Sequence, residues 1–483
     1  MVQVRVLLAM LLLAMACSGT QSDAPSAGEY PPANYRHGSL TKVRLSNTHL
    51  PRDTDGNLLV TGETSVLQPT AGDGEDTNYY MYVNDWGNCS NFPGIDTCSS
   101  VGGCASCARR SPQNCIYDTT HVVQAYRTPD FSTFYNLGVV LPLSARHPGY
   151  LFRPHVVYNR KTATYVMWFE DHSTNTSIHG MYHVATSKAP GGPFAVVSSN
   201  VSMPFGPYPV MHVGDFDLFV DDDGEAYHVR TGFSVVRLRQ DYLAPMEVVS
   251  SLTTPKPSEA PTMFKRKGTY YIMAGTSCCA CPGGSNLFVF TAPSPRGPWS
   301  ARGDVGSNTT APFDLHSRWN YVTRSQASAV FSVPNKVAAG LSLGGSGDSS
   351  NTRSSSSGGS SGSGGGGGGN DPHRYSDAAD VATFVWLGNQ WVTGSDRSHD
   401  LLYWTVLTFD DGTSSNGGEN KEARGRNRGP TAPAVQQIIY SPYAEITVVE
   451  HDKADTDVTD RAWKQNRTAR HRYAPLVDTH TPL

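Results

Sequence analysis

The 483-residue sequence predicts an all-β fold, a five-bladed β-propeller, and two repeated patterns carry that prediction. A strand signature of aromatic and β-branched residues recurs five times: YYMYVND from 79, TYVMWFED from 164, AYHVRTG from 226, TYYIMAG from 269 and TFVWLGN from 383. The segments ATSKAPGGPF from 185 and FTAPSPRGPW from 290 echo one another, and each closes its unit with a Gly-Pro-aromatic turn. Short strands repeated around a ring solve the problem of open sheet edges, which is what a propeller does. A two-sheet sandwich is the structural alternative.

Within each unit a strand precedes the signature and turns into it. In FRPHVVYNRKTATYVMW the first strand runs from His155 to Tyr158 and returns after Asn159 to Ala163. GDFDLFVDDDGEAYHV turns through Asp221, Asp222, Asp223 and Gly224; Asx side chains bond local backbone there, and Gly accepts positive φ. SEAPTMFKRKGTYYIM turns at Lys267 and Gly268. The uneven spacing of the units is explained by insertions. Residues 87–118 hold a Cys-rich one, and 336–378 a low-complexity one containing SSSSGGSSGSGGGGGG, a tract unable to bury a core and expected to be disordered. The resulting division is a leader over 1–20, a propeller over 40–410 and a partly disordered C-terminal extension over 411–483.

Charged residues make up 17% of the chain, with 38 basic against 42 acidic, so no electrostatic footprint for nucleic acid or anionic membrane is present. The first residues carry Arg5, an apolar run and a small-x-small site at Ala14-Met15-Ala16, the pattern of a cleaved secretory signal. An uncleaved anchor is the alternative, and no later stretch approaches the ~20 apolar residues of a membrane span. Sequons at Asn88, Asn175, Asn200, Asn308 and Asn466 suit export, so the expectation is a secreted monomer without membrane attachment after cleavage. Eight Cys follow the signal in two clusters: Cys89, Cys98, Cys104, Cys107 and Cys115, then Cys278, Cys279 and Cys281. Both clusters are odd, so if all eight pair, at least one disulfide joins them. Cys104-x-x-Cys107 could also hold zinc, although an oxidising compartment favours disulfides.

The residue leading into the first strand is Arg153 in one unit, Asp215 in the next and Glu259 in the third. First strands line a propeller's axis, so these positions converge at one end of the channel. The same offset in the outer units selects Glu63 and Gln326. Carboxyls beside an Arg and an amide form the constellation glycoside hydrolysis needs: one acid protonates the leaving oxygen while a second group handles water or developing charge. Each residue has a plainer reading. Glu259 and Glu63 could be solvated strand-end charges, Arg153 an ion-pair partner, and Asp217 a rival to Asp215. Trp86 and Trp168 could stack on a sugar face or fill a blade core. His155, His212 and His228 lack a metal-ligand spacing; no metal is required, although a structural calcium ion in the channel is compatible with this architecture.

Taken together and in order, FRPHVVYN, GDFDLFVDDDGEAYHV, SEAPTMFKRKGTYYIM, SPRGPW and SQASAVF resemble glycoside hydrolase family 43, whose members are five-bladed propellers that invert the anomeric centre. The likeness is greatest to its exo-β-1,3-galactanase-type branch. The resemblance implies Glu259 as general acid, Asp215 as the carboxylate that orients it and tunes its pKa, and Gln326 as the group holding the attacking water in a branch that lacks the usual Asp base. Glu63, Arg153, Trp86 and Trp168 become candidate substrate contacts. The branch often places a Glu before the Arg-Pro of the second blade, where this chain has Phe152. The expected function is an inverting hydrolase of extracellular galactose- or arabinose-containing polysaccharide. A catalytically silent glycan-binding propeller and a structural extracellular protein are the alternatives.

Overall fold

The computed structural model describes residues 35–37, 40–69, 76–85, 122–146, 150–172, 181–204, 213–254, 258–276, 285–307, 321–334, 382–390, 397–410, 434–436, 438 and 441–449. A three-stranded sheet joins β1 (Tyr35–His37), β2 (Leu40–Ser46) and a late strand from the other end of the chain. The first blade holds β3 (Gly62–Leu67), β4 (Tyr79–Asp85), β5 (Val122–Thr128) and β6 (Tyr135–Leu141); the second β7 (Tyr150–Asn159), β8 (Thr164–His172), β9 (Met181–Ser187) and β10 (Ala195–Val201). The third holds β11 (Phe216–Val220), β12 (Ala226–Arg230), β13 (Ser234–Leu238) and β14 (Pro245–Ser251). The fourth holds β15 (Ser258–Arg266), β16 (Thr269–Thr276), β17 (Phe288–Ala292) and β18 (Ser300–Asp304); the fifth β19 (Gln326–Pro334), β20 (Ala382–Gln390) and β21 (Leu401–Val406). A short pair, β22 (Phe409–Asp410) with β23 (Ala434–Val435), follows, and β24 (Tyr443–Val449) is the late strand paired with β2.

All strand pairs within the blades are antiparallel, and the innermost strands close a ring: β3 packs on β7, β7 on β11, β11 on β15, β15 on β19, and β19 back on β3. The predicted five-bladed all-β propeller is therefore present. Each sequence signature is the second strand of its blade, buried on both faces because neighbouring blades cover it: Met81, Val83, Met167, Trp168, Val229, Ile272, Val385 and Leu387 are sealed from solvent. The two Gly-Pro-aromatic turns occupy equivalent places between the third and fourth strands of blades two and four. Gly192 and Gly297 both adopt positive φ before a cis proline.

The chain ends close against the fifth blade. Val43 and Leu45 of β2 and Ile446 and Val448 of β24 join the apolar cluster that contains Phe331, Val385 and Trp404. Asn47 caps the open edge of β21 by offering its side-chain amide as a ladder partner: Oδ1 accepts from Trp404 N at 2.6 Å and Nδ2 donates to Trp404 O at 2.9 Å. The folded body thus extends past residue 410, to Val449. The leader, the Cys clusters, Trp86, His212 and the Gly/Ser tract lie outside the described residues.

Candidate active site

Four of the five innermost strands carry a bulge at the same end of the channel. The ladder slips between Gly62 and Ser65, between Phe152 and His155, between Glu259 and Thr262, and between Ala327 and Ala329. In the first three, the residue after the slip begins sits in the left-handed region: Glu63 at φ 36°, Arg153 at 54° and Ala260 at 52°. A bulge inserts one residue into a strand and re-aims the side chains beside it. Asp215 immediately precedes β11, its carbonyl accepting from Thr231 N at 2.7 Å. The uniform offset read from the sequence is corrected here, because by ladder register Glu259 corresponds to Phe152 and Arg153 to Ala260.

Despite that slip, the five residues selected from sequence meet in one hydrogen-bonded network, one from each blade. Arg153 is its hub. The guanidinium is 2% exposed; Nη1 donates to Ala327 O at 2.7 Å, Nη2 to Asp215 Oδ2 at 3.0 Å, and Nε lies 3.5 Å from Glu63 Oε1. The backbone N–H of Arg153 donates to Glu63 Oε2 at 2.8 Å, and Asn84 Nδ2 reaches the same oxygen at 3.3 Å. Burial works against the Arg153 charge, but Asp215 and Glu63 outweigh it and hold the guanidinium protonated beyond its ordinary range. Burial pushes the Glu63 carboxyl up, to about 8, with Arg153 pulling it down and Asp215 raising it further. Gln326 completes the network: its Nε2 donates to Asp215 Oδ2 at 3.1 Å and to Glu259 Oε1 at 2.9 Å.

Both of those bonds leave one nitrogen, so the Asp215 and Glu259 oxygens stand closer together than the ~6.5–9.5 Å separating an inverting acid from its base across a sugar. Asp215 is placed as a neighbour of Glu259. Both of these Gln326 bonds are donated by Nε2, and the amide oxygen is by its chemistry an acceptor.

Trp168 sits elsewhere. It is fully buried, its indole N–H donates to Tyr242 O at 2.8 Å, and its ring packs against Tyr182 and His228, so it fills the core between blades two and three and presents no face to a sugar. Phe152 pairs with Glu170 across the ladder at the site end. Asn84 was not legible in advance, although its signature, YYMYVND, was. Among the described residues no group of three or more His, Cys, Asp or Glu side chains is placed to hold a metal ion.

Residues 123–310, which contain Arg153, Asp215 and Glu259, match the model of glycosyl hydrolases family 43. This segment is similar to that family. Solved structures with a similar fold include an exo-β-1,3-galactanase from Clostridium thermocellum, 18% identical over 76% of this chain and 63% of that one with a TM-score of 0.51. A family 43 β-1,3-galactosidase solved with galactodeoxynojirimycin is 18% identical over 76% of this chain and 96% of that one, with a TM-score of 0.50. An exo-β-1,3-galactanase from Phanerochaete chrysosporium solved with galactose is 20% identical over 76% and 65%, with a TM-score of 0.49. This chain therefore spans less than two thirds of the Clostridium and Phanerochaete proteins, and the likeness is one of fold. A sequence comparison with curated proteins finds no match.

Proposed function

We propose that this propeller is an inverting hydrolase that removes sugar from galactose-containing polysaccharide, with β-1,3-galactan as the first substrate to test. The observation that carries the reading is the Gln326 amide bonded to Glu259 and Asp215 together. The reading takes Glu259 as the acid, Asp215 as a second carboxylate and Gln326 as a polar holder for water, at the point where five blades meet. In this reading Glu259 donates its proton to the glycosidic oxygen as the bond to the anomeric carbon breaks. Asp215 keeps that proton on Glu259 in the ground state, because a neighbouring carboxylate disfavours ionisation. The Gln326 amide oxygen accepts a hydrogen from the water that attacks the opposite face of the ring. Arg153 and Glu63, both buried and bonded to each other, act in this reading as the frame that orients Asp215, with the sugar held above them.

Galactose enters the proposal through the substrates and ligands of the similar structures, which include a galactanase and a galactosidase. Export is part of the same reading, because a polysaccharide of this kind is met outside the cell and the leader, sequons and Cys usage suit that compartment. Phe152, where the resembling branch often carries Glu, favours a second reading: a propeller that binds glycan without turning it over. One experiment separates the two. Purified protein is incubated with β-1,3-galactan, arabinogalactan and arabinan, and the first product is followed by proton NMR. The hydrolase reading expects galactose released with α configuration from a β linkage; binding without release on every polymer supports the second reading, and a β product overturns inversion.

A further inference from the structure

Beneath the site lies a second tier of polar contacts that joins neighbouring innermost strands, which otherwise meet without ladder hydrogen bonds. Ser328 Oγ donates to Thr64 O at 2.6 Å, tying blade five to blade one. Ser65 Oγ donates to Pro154 O at 2.5 Å, tying one to two. His155 Nδ1 stands 3.0 Å from Asp217 Oδ1, tying two to three, and Asp217 Oδ2 accepts from Met263 N at 2.7 Å, tying three to four. All four side chains are buried. Between blades four and five the tie stands one tier higher, in the site itself, as the bond from Gln326 to Glu259.

The tier is built from the bulges. Ser65 and His155 are the first residues to regain ladder pairing after Glu63 and Arg153, and Ser328 is the extra residue of the slip in β19. Their counterpart in blade four, Thr262, turns its hydroxyl to Met273 O of its own blade at 3.4 Å. Asp217 is the busiest member. Its Oδ1 also accepts from Leu218 N at 2.8 Å, so one carboxylate fixes strands of three blades, two residues along from Asp215.

We propose that Ser65, His155, Asp217 and Ser328 are positioning residues that hold Arg153, Asp215 and Glu259 in register across the ring, with Asp217 the principal one. This deepens the hydrolase reading and rests on it. A misplacement of about 1 Å at a reacting group can cost about 100-fold in rate, so small relaxations of this tier are read out in turnover.

The test uses the full chain with Asp217→Asn, Asp217→Ala and Ser65→Ala, each measured for kcat, KM, melting temperature and hydrogen exchange by mass spectrometry. An Asn keeps one acceptor oxygen where Asp217 uses two. The expected kcat falls by about 10-fold for Asp217→Asn and about 100-fold for Asp217→Ala, with KM nearly unchanged. Exchange is expected to rise over 150–159 and 258–266 while the outer strands β10, β14 and β18 keep their protection. Unchanged kcat per folded molecule, or exchange that rises uniformly through all blades, overturns the proposal. Should Asp217→Ala fail to fold, Asp217→Asn and Ser65→Ala carry the same two readouts. If the wild-type protein releases sugar from no polymer, the hydrolase reading fails by itself, and the local or uniform pattern of exchange still decides whether the tier holds the ring.

Discussion

The two ends of strands β11 and β15 each carry a cluster of carboxylates, and they are satisfied in opposite ways. At the far end from the site, Lys265 Nζ donates to Asp221 Oδ1 at 2.7 Å and to Asp222 Oδ2 at 2.8 Å, and Tyr270 OH donates to Asp221 Oδ2 at 2.5 Å. Asp221 thus has a donor for each oxygen. Burial, then the Asp221 bond, pushes the Tyr270 hydroxyl up to about 12, so it stays a donor at every ordinary pH. At the site end, by contrast, two donors crowd one Asp215 oxygen, and a single Gln326 nitrogen is divided between two carboxylates. A closed cluster staples two blades. A shared one is left ready to exchange partners, which is what a reaction requires.

The largest expected effect breaks the site end alone. Glu259→Gln preserves shape and the bond from Gln326 but removes the transferable proton, so turnover of natural glycosides should fall by about 10²–10⁴-fold, with folding intact. Activated aryl glycosides, whose leaving oxygen is already a stable anion, should lose far less. Equal losses on both substrate types would show that Glu259 binds sugar and is not the acid.

Next in size is the matching insult at the far end. Lys265→Met removes the ammonium and leaves Asp221 Oδ1 with only the Asp222 backbone N–H, at 2.8 Å, as donor, at an expected cost of about 1 kcal/mol in stability, read by denaturant titration. Turnover at a temperature where the variant is folded should not change. A drop in kcat comparable to that of Glu259→Gln would mean that the two ends are coupled and the contrast drawn between them is false.

How much of this was legible beforehand follows the same division. The blades were, because five aromatic strand signatures and two Gly-Pro-aromatic turns leave a periodic trace, and Asp221 to Gly224 name their own turn. Glu63, Arg153, Asp215, Glu259 and Gln326 were selected together and do meet. The route to Glu259 was off by one residue, since the bulges that shift it are built on Glu63, Arg153 and Ala260 at positive φ, with no Gly or Asn at those positions to announce them. Trp168 was misplaced for a different reason: an aromatic on a central strand reads alike whether it lines a pocket or a core, and burial on both faces decides it only after neighbouring blades are in place. The Asn47 clasp and the pairing of β2 with β24 join residues from the two ends of the chain, which no local pattern reveals.

A milder change sharpens the role given to Asp215. Asp215→Asn removes the negative charge beside Glu259 and leaves Arg153 less neutralised, and both changes favour loss of the Glu259 proton. The alkaline limb of the pH–rate profile should therefore move to lower pH, with the acidic limb less affected. An alkaline limb that stays in place would assign Asp215 to sugar binding or to folding.

The smallest expected effect concerns a polar group of a third kind, neither closed nor shared. His228 is wholly buried, stacked on Phe216 with ring centroids 4.5 Å apart and enclosed by Tyr182 and Trp168, and among the described residues no other side chain gives either ring nitrogen a hydrogen-bond partner. Burial first, then Arg230 and His155, push its pKa well below the ordinary 6.5, so the folded protein keeps it neutral. The unfolded chain, in contrast, takes up a proton there as pH falls through about 6.5. Below that point the unfolded state binds one proton more than the native state, and stability declines as pH drops, by at most about 1.4 kcal/mol per pH unit for this one group. Above it the term vanishes. His228→Phe removes the titration while keeping an aromatic ring in the stack, so wild type and variant should differ in the slope of stability against pH between about 6.5 and 5, the variant being flatter. Parallel slopes would show that His228 is protonated in the folded protein, and that the polar face of this ring is satisfied after all.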